Sequence, residues 1–354
     1  MASSVLGSSP YHQQNKCQIV FNMTDYPSIE VNSRVTRKDA NTFTVNLSEA
    51  FCVGTGKRIR RETSACSWEK TVPHGGYISA MFLRAASTYL ASNNQPDTFA
   101  AHWHFLNATH VGPAVLVVEE VRRGRALSIL HITLYQEGLT SQSPWISDKS
   151  KKKVGAYITN TLLEAERGLT LPTGFELPAP PPPVDLARLA NDEDPNWERL
   201  HMIVMDMAPM MQHTEFYTPK GCDRSSAAWD IWIRMSNGEY ITNWSLGYLA
   251  DAAPALIPEG FRMTDTDAPV SEGRFAFDKI FWYPTVSLSL DVKKPLPKEG
   301  VEWLRIRIAA KVFKNGRYDA EVIVFDKEGD IVSLSNHVAM AVDGERNYER
   351  ETKL

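Results

Sequence analysis

The residue that stands out chemically is Asp251. It interrupts an otherwise apolar run, Leu246, Tyr248, Leu249, Ala250, Ala252 and Ala253. A carboxylate in such company is costly unless it is paired or hydrogen-bonded. Loss of solvent would raise its pKa and make it a stronger base. The second candidate is the stretch His74-Gly75-Gly76, which opens a long apolar run. At a helix start, Gly75 and Gly76 would leave backbone N–H groups open for an anion or a polarised carbonyl. His74 would stand at the mouth of that helix as a second base. The plainer meaning of the two glycines is a tight turn and close packing. Cys66 with His74 would make a thiol–imidazole pair, but no surrounding residues support it.

Elements that could position these groups follow from periodicity. Residues 77–90 are apolar almost all round, with Arg84 as the one charge. That pattern predicts a buried helix, which needs a sheet wrapped around it. It is too short to span a bilayer, which takes ~20 apolar residues. The breaker cluster Ser92-Asn-Asn-Gln-Pro96 ends it. Alternation predicts strands at 42–47, 98–107, 114–121, 126–135 and 153–163. A proline-rich segment around Pro180 to Pro183 then reads as a stiff spacer. Beyond it the layout repeats: strands at 216–217 and 228–235, a helix at 243–256, and strands at 285–292, 303–313, 319–326 and 330–342. Gly124-Arg125 and Gly316-Arg317 fall at matching turns. The chain therefore reads as a tandem duplication of class α+β. Its expected parts are a disordered N-terminus (1–16), a first domain (17–170), the linker (171–190), a second domain (191–345) and a tail (346–354).

Composition narrows the classes. The 354 residues carry a formal net charge of -4, which gives no electrostatic case for nucleic acid. The four cysteines, Cys17, Cys52, Cys66 and Cys222, form no CxxC pair. That spacing predicts a reduced, cytoplasmic protein without a zinc site. The N-terminus has no secretory pattern. Thr352-Lys353-Leu354 is one residue from the Ser-Lys-Leu peroxisomal address. The group Met202, Met205, Met207, Met210 and Met211 suits either a gap-filling core or a pocket for varied apolar chains. Lys149 to Lys153 reads as a solvated loop, with contact to an anionic ligand as the alternative, also for Arg122, Arg123 and Arg125.

Taken in order, Pro73-His74-Gly75-Gly76-Tyr77 before an apolar helix, Gly124-Arg125 between strands, Leu249-Ala250-Asp251 on the second helix, and the strand pair around Asp326 to Val332 resemble the double-hotdog acyl-CoA thioesterases, of the bacterial thioesterase II type and its fungal relatives. The resemblance covers roughly residues 43–342. It implies two antiparallel sheets, each wrapped round a central helix and joined as a pseudo-dimer. It implies hydrolysis of an acyl thioester, with no cofactor beyond the coenzyme A of the substrate. An acyl carrier protein and a homo-oligomer stay open as partners.

The family's site combines an Asp on the second helix, a Thr or Ser on the next strand and a Gln near the end of the last strand. Asp251 and Thr285 match the first two. His337 falls at the Gln position, which departs from the pattern. Gly75, Gly76 and Tyr77 would bind the substrate. Two alternatives remain: a dehydratase, lyase or cyclase using His74 and Asp251 as an acid/base pair, and a non-catalytic acyl-binding protein.

Overall fold

The computed structural model describes residues 26–54, 59–61, 64–66, 71–264 and 269–343. The expectations for residues 1–16, for Cys17 and for the C-terminal Thr352-Lys353-Leu354 lie outside these residues. So do those for the side chains of Cys66 and Met207.

The first half contains β1 (Thr42–Leu47), α1 (Gly75–Leu90), β2 (Asp97–Phe105), β3 (Gly112–Arg122), β4 (Ser128–Gln136) and β5 (Lys151–Thr161). The second contains β6 (Thr214–Pro219), β7 (Ala228–Met235), α2 (Leu246–Ala252), α3 (Leu256–Glu259), β8 (Thr285–Val292), β9 (Leu304–Ala309), β10 (Arg317–Phe325) and β11 (Ile331–Met340). One 14-stranded sheet holds all the numbered strands, in the order β1-β3-β4-β5-β2-β8-β11-β10-β9-β7-β6; the two-residue strand Thr36–Arg37 and the three-residue strand Trp197–Arg199 extend its edges, and the two-residue strand Phe313–Lys314 pairs with β10 off this path. Its pairings are antiparallel. Counted from either side of the β2–β8 seam, the two halves have the same strand order. This is a double hotdog, and the seam carries His104 opposite Ser287 and Trp103 opposite Leu288.

Alternation places one face of each strand against the helices. On β4, Ser128, Leu130, Ile132 and Leu134 are buried while Ile129, His131 and Tyr135 are only partly covered. Tyr77, Phe82, Trp103, Ile158, Leu249, Leu290 and Val322 belong to one continuous core shared by both halves. Arg84, the one charge of α1, reaches the rim. There it bonds the Glu30 carbonyl and carboxylate and stacks on Trp244.

The two helices cross at reciprocal glycines. A Cβ on Gly76 would lie 2.6 Å from the Tyr248 carbonyl oxygen and 2.9 Å from the Asp251 Cβ. A Cβ on Gly247 would lie 2.9 Å from the Ala80 nitrogen. Both contacts forbid a side chain, so here glycine serves close approach of two backbones.

The structure departs from expectation at three places. The second helix, expected to be continuous over 243–256, breaks after Ala252 and resumes at Leu256. Pro254 lacks an N–H and its ring crowds the preceding turn. Lys151 to Lys153 opens β5 rather than forming a loop, and Lys153 is buried and paired with Glu137 at 2.8 Å. Finally, the strand expected over 303–313 ends at Ala309. The proline segment lies against the second half. Pro183 O accepts from Asn196 Nδ2, and Ala179 O accepts from Arg307 Nη1. No helix of the described residues is long and apolar enough to cross a membrane.

Candidate active site

Asp251 lies near the C-terminal end of α2, 7% exposed. The helix is fixed from below by Tyr248, whose hydroxyl meets Met210 O at 3.0 Å and Thr214 Oγ1 at 2.9 Å. On the other side stands the start of α1. A Cβ on Gly75 would lie 2.7 Å from Asp251 Oδ2, so the glycine is what lets the carboxylate reach the helix mouth.

Two side chains donate to the carboxylate and a third lies beside it. Thr285 Oγ1 donates to Oδ1 at 2.8 Å. His74 Nε2 faces Oδ2 at 3.3 Å, and His337 Nδ1 faces Oδ1 at 3.4 Å. His74 caps α1, its Nδ1 accepting from the Gly76 N–H at 3.1 Å. A neutral His74 therefore carries its hydrogen on Nε2 and gives it to Asp251. His337 Nε2 meets Ala250 O at 2.8 Å, and since a carbonyl only accepts, that nitrogen bears hydrogen.

Burial by itself raises the Asp251 pKa, as the sequence suggested. The neighbouring His74 imidazole, then His337 and the Thr285 hydroxyl, outweigh it and hold the carboxyl below the usual carboxylate range. The expected upward shift is thus reversed, and Asp251 is ionised at neutral pH. Burial pushes His74 down, and the attraction of Asp251 recovers only part of that loss.

Asp251, His74, Gly75 and Thr285 line a cavity of about 290 Å³. Its apolar wall includes Ile78, Phe105, Val204, Met210, Met211 and Trp282. Part of the Met-rich group thus faces the space where a chain could lie. The far side is built on a buried fork. Arg262 Nε and Nη2 each bond Glu259 at 2.7 Å, and Arg262 Nη1 bonds the carbonyls of Phe277 and Lys279. Tyr283 donates to Glu259 Oε1 at 2.6 Å.

Strand geometry explains the aim of Thr285. It pairs with Ala339, whereas Ser287 pairs with Val338, a register shift that leaves Val286 as an extra residue. Without the bulge, Thr285 would share the parity of Ser287 and Ser289 and point away from the helices. The bulge turns it inward.

The predicted residues are therefore only partly gathered at one place. Asp251, Thr285, His74 and Gly75 meet on the cavity wall. His337 lies behind Asp251, its side chain fully buried and its Nε2 hydrogen given to Ala250 O, so it packs against the carboxylate and does not line the cavity. Gly76 has its N–H occupied by His74. The expectation for Tyr77 is corrected. Its ring stacks on Phe51 at 4.6 Å, and its hydroxyl donates to Asn32 O at 2.8 Å. These contacts bury it in the core, away from the cavity. Lys151 and Lys153 pair with Glu137, and Arg123 pairs with Glu120; none of the three lines the cavity. Among the described residues, no group of three His, Cys, Asp or Glu is arranged to hold a metal ion. Missed from sequence were Glu259, Arg262, Tyr283 and Tyr318. The i, i+3 spacing of Glu259 and Arg262 in an apolar context was the available signal.

Residues 65–160 match the family described as the acyl-CoA thioesterase N-terminal domain, and residues 180–341 match its C-terminal domain. The chain is 38% identical over 340 residues to the thioesterase-like protein TwmA of Talaromyces wortmannii, spanning 89% of this chain and 92% of that protein. Among solved structures, a hot dog fold protein of unknown function from Alicyclobacillus acidocaldarius has a TM-score of 0.60 at 17% identity, with 88% and 97% of the two chains covered. The acyl-CoA thioesterase II TesB2 from Mycobacterium marinum has a TM-score of 0.56 at 13% identity, with 90% and 100% covered. At these identities the two structures speak for the fold.

Proposed function

The chain belongs to the acyl-CoA thioesterase family, whose chemistry is thioester hydrolysis, and from that premise we propose that Asp251 is the general base that activates water against an acyl thioester. The observation that carries this reading is a carboxylate on a mostly apolar cavity wall, held by Thr285 and His74 beside the N-terminus of α1. In the proposed step Asp251 takes a proton from water as the water oxygen bonds to the carbonyl carbon. The carbonyl π pair moves onto oxygen, where the Gly75 N–H, which has no intrahelical partner, offers a donor. When the intermediate collapses, the C–S bond breaks, and sulfur leaves with the electron pair and takes the proton from Asp251. Thr285 fixes the carboxylate, and His337 supports it from behind.

The placement of His74 favours hydrolysis over an acid/base pair for dehydration. Its Nδ1 is committed to the Gly76 N–H and its Nε2 hydrogen points at Asp251. Neither nitrogen has a free lone pair for a substrate proton. The methionine and aromatic wall suits an apolar acyl chain.

The test is incubation with a panel of acyl-CoAs and the matching acyl-pantetheine thioesters, read by thiol release and mass spectrometry. Free acid plus thiol is expected. Water lost or gained with the thioester intact would mean lyase chemistry, and binding without turnover would mean an acyl-binding protein. Hydrolysis of both series at similar kcat/KM would leave an acyl carrier protein as a competent donor.

A further inference from the structure

Tyr318 sits in the inward row of β10, in register with the site. It pairs with Ala339 of β11, and Ala339 pairs with Thr285 of β8. With strands ~4.8 Å apart, the Thr285 and Tyr318 backbones lie ~10 Å from each other. Between them is only the Ala339 methyl, so the phenol can lean over it toward the carboxylate. Tyr318 is 2% exposed and lines the same cavity as Asp251, Gly75 and Thr285. Its ring is fixed by an edge-on contact with Tyr283 at 6.5 Å and by stacking on Phe313 at 5.2 Å.

Its hydroxyl has no hydrogen-bond partner among the described residues, although Tyr283 beside it is bonded to Glu259. The hydroxyl of this buried residue therefore opens onto the cavity rather than onto protein. Apart from the Gly75 N–H, the donors nearest Asp251 are committed. The Thr285 hydroxyl and the His74 Nε2 hydrogen point at Asp251, the Gly76 N–H at His74, and the His337 Nε2 hydrogen at Ala250 O. One of the two glycine N–H groups expected to polarise a carbonyl is thus taken, and Tyr318 has a free O–H to offer. Burial, with the Asp251 and Glu259 carboxylates adding to it, pushes the phenol pKa well up. The group keeps its proton.

We propose that Tyr318 is a catalytic residue whose hydroxyl donates a hydrogen bond to the carbonyl oxygen of the bound thioester as that oxygen gains negative charge. The inference rests on the hydrolase reading above. Tyr318 exchanges no proton. Water adds to the carbonyl carbon, its proton goes to Asp251, the π pair rests on the oxygen held by Gly75 and Tyr318, and the C–S bond then breaks with the proton passing to sulfur. The phenol acts only while the charge is on oxygen.

The test is Tyr318→Phe in the full chain, which removes one oxygen and keeps both ring contacts. With the best acyl-CoA substrate, kcat should fall ~100-fold, while KM stays within ~3-fold, as expected when a transition-state contact is lost. The urea unfolding midpoint should not move. A second readout needs no turnover. A non-scissile 2-oxoalkyl-CoA thioether, labelled with carbon-13 at its carbonyl, should show a lower carbonyl stretch bound to wild type than bound to Tyr318→Phe. Unchanged kcat in the variant, a KM rise with kcat unchanged, or equal stretches would overturn the assignment. If wild type releases thiol from no thioester, the hydrolase reading falls, and the carbonyl stretch still decides whether Tyr318 touches that oxygen.

Discussion

Replacing Asp251 by asparagine keeps every heavy-atom position of the side chain, removes its charge and turns one acceptor into a donor. The surroundings dictate which. Oδ2 must remain oxygen, because His74 presents its Nε2 hydrogen there at 3.3 Å with Nδ1 held by Gly76. The amide NH₂ then falls on the Oδ1 side. There His337 Nδ1 at 3.4 Å can accept, since Nε2 is the nitrogen that donates to Ala250 O, and the Thr285 hydroxyl can rotate to accept. All partners are satisfied, so stability should change by no more than ~1 kcal/mol. Breaking a buried ionic cluster outright would cost ~3–5 kcal/mol. Removing the base should lower kcat by about 10²–10⁴-fold, which is ~2.7–5.4 kcal/mol of barrier. Thiol-release kinetics and urea unfolding on the same preparation measure both. A folded variant within ~10-fold of wild-type kcat refutes Asp251 as the base, since general-base loss exceeds that. A loss of stability above ~3 kcal/mol refutes the rearranged hydrogen bonding at Oδ1 and Oδ2.

Thr285→Val is nearly isosteric and deletes the 2.8 Å bond to Asp251. A bond to a charged group is worth ~1.5–3 kcal/mol, so kcat should fall about 10- to 100-fold; unchanged kcat would make Thr285 a strand former and nothing more. Gly75→Ala would put a Cβ 2.7 Å from Asp251 Oδ2 and 3.1 Å from the Phe105 ring. It should cost ~1–3 kcal/mol of stability as overpacking does and displace the carboxylate, so wild-type kcat with an unshifted urea midpoint contradicts the close approach. For pH, burial lowers both His74 and His213 below the ordinary histidine value. The unfolded chain then binds more protons than the folded one below pH ~6.5. Stability should be full above that pH and decline as pH falls through it toward the folded pKa values, by up to ~1.4 kcal/mol per pH unit for each proton taken up on unfolding. Asp251, whose pKa is lowered, adds stability above the unfolded carboxylate range near ~3.9, which is lost only in stronger acid. Urea midpoints that stay flat from pH 8 to pH 5 would count against the neutral-histidine assignment.

Much of the architecture could be read from the residues because it rests on period and punctuation. β1, β7 and β8 begin and end where the alternation does. The duplication was visible in paired Gly-Arg turns. The expected continuous second helix ignored Pro254, whose effect on a helix interior is local and legible in the residues themselves. The site was harder for a different reason. Asp251 announced itself as a charge in an apolar run. The inward aim of Thr285 depends on an unpaired residue, Val286, that no alternation pattern reveals. Tyr77 looked like a ligand contact because it follows two glycines. One position along a helix is about 100° of rotation, enough to turn its ring into the core. Tyr318 reads as any inward aromatic of a strand. Its interest lies in which partner is missing, a property of three-dimensional packing with no sequence signal.

The reciprocal glycine crossing has a stoichiometric consequence. Gly76 and Gly247 occupy matching places in the two helices, each against the backbone of the other. Asp251 lies four residues beyond Gly247, and four residues beyond Gly76 lies Ala80, fully buried. The place in the first half that mirrors the carboxylate holds a methyl group. A hotdog assembled from two identical chains would carry the carboxylate twice or not at all. In this fused chain a substitution is felt once, so one half can change its residues while the other keeps its acid. Occupancy should follow: calorimetric titration with the non-scissile thioether should saturate at one equivalent per chain, and two equal equivalents would mean that the mirrored place also binds.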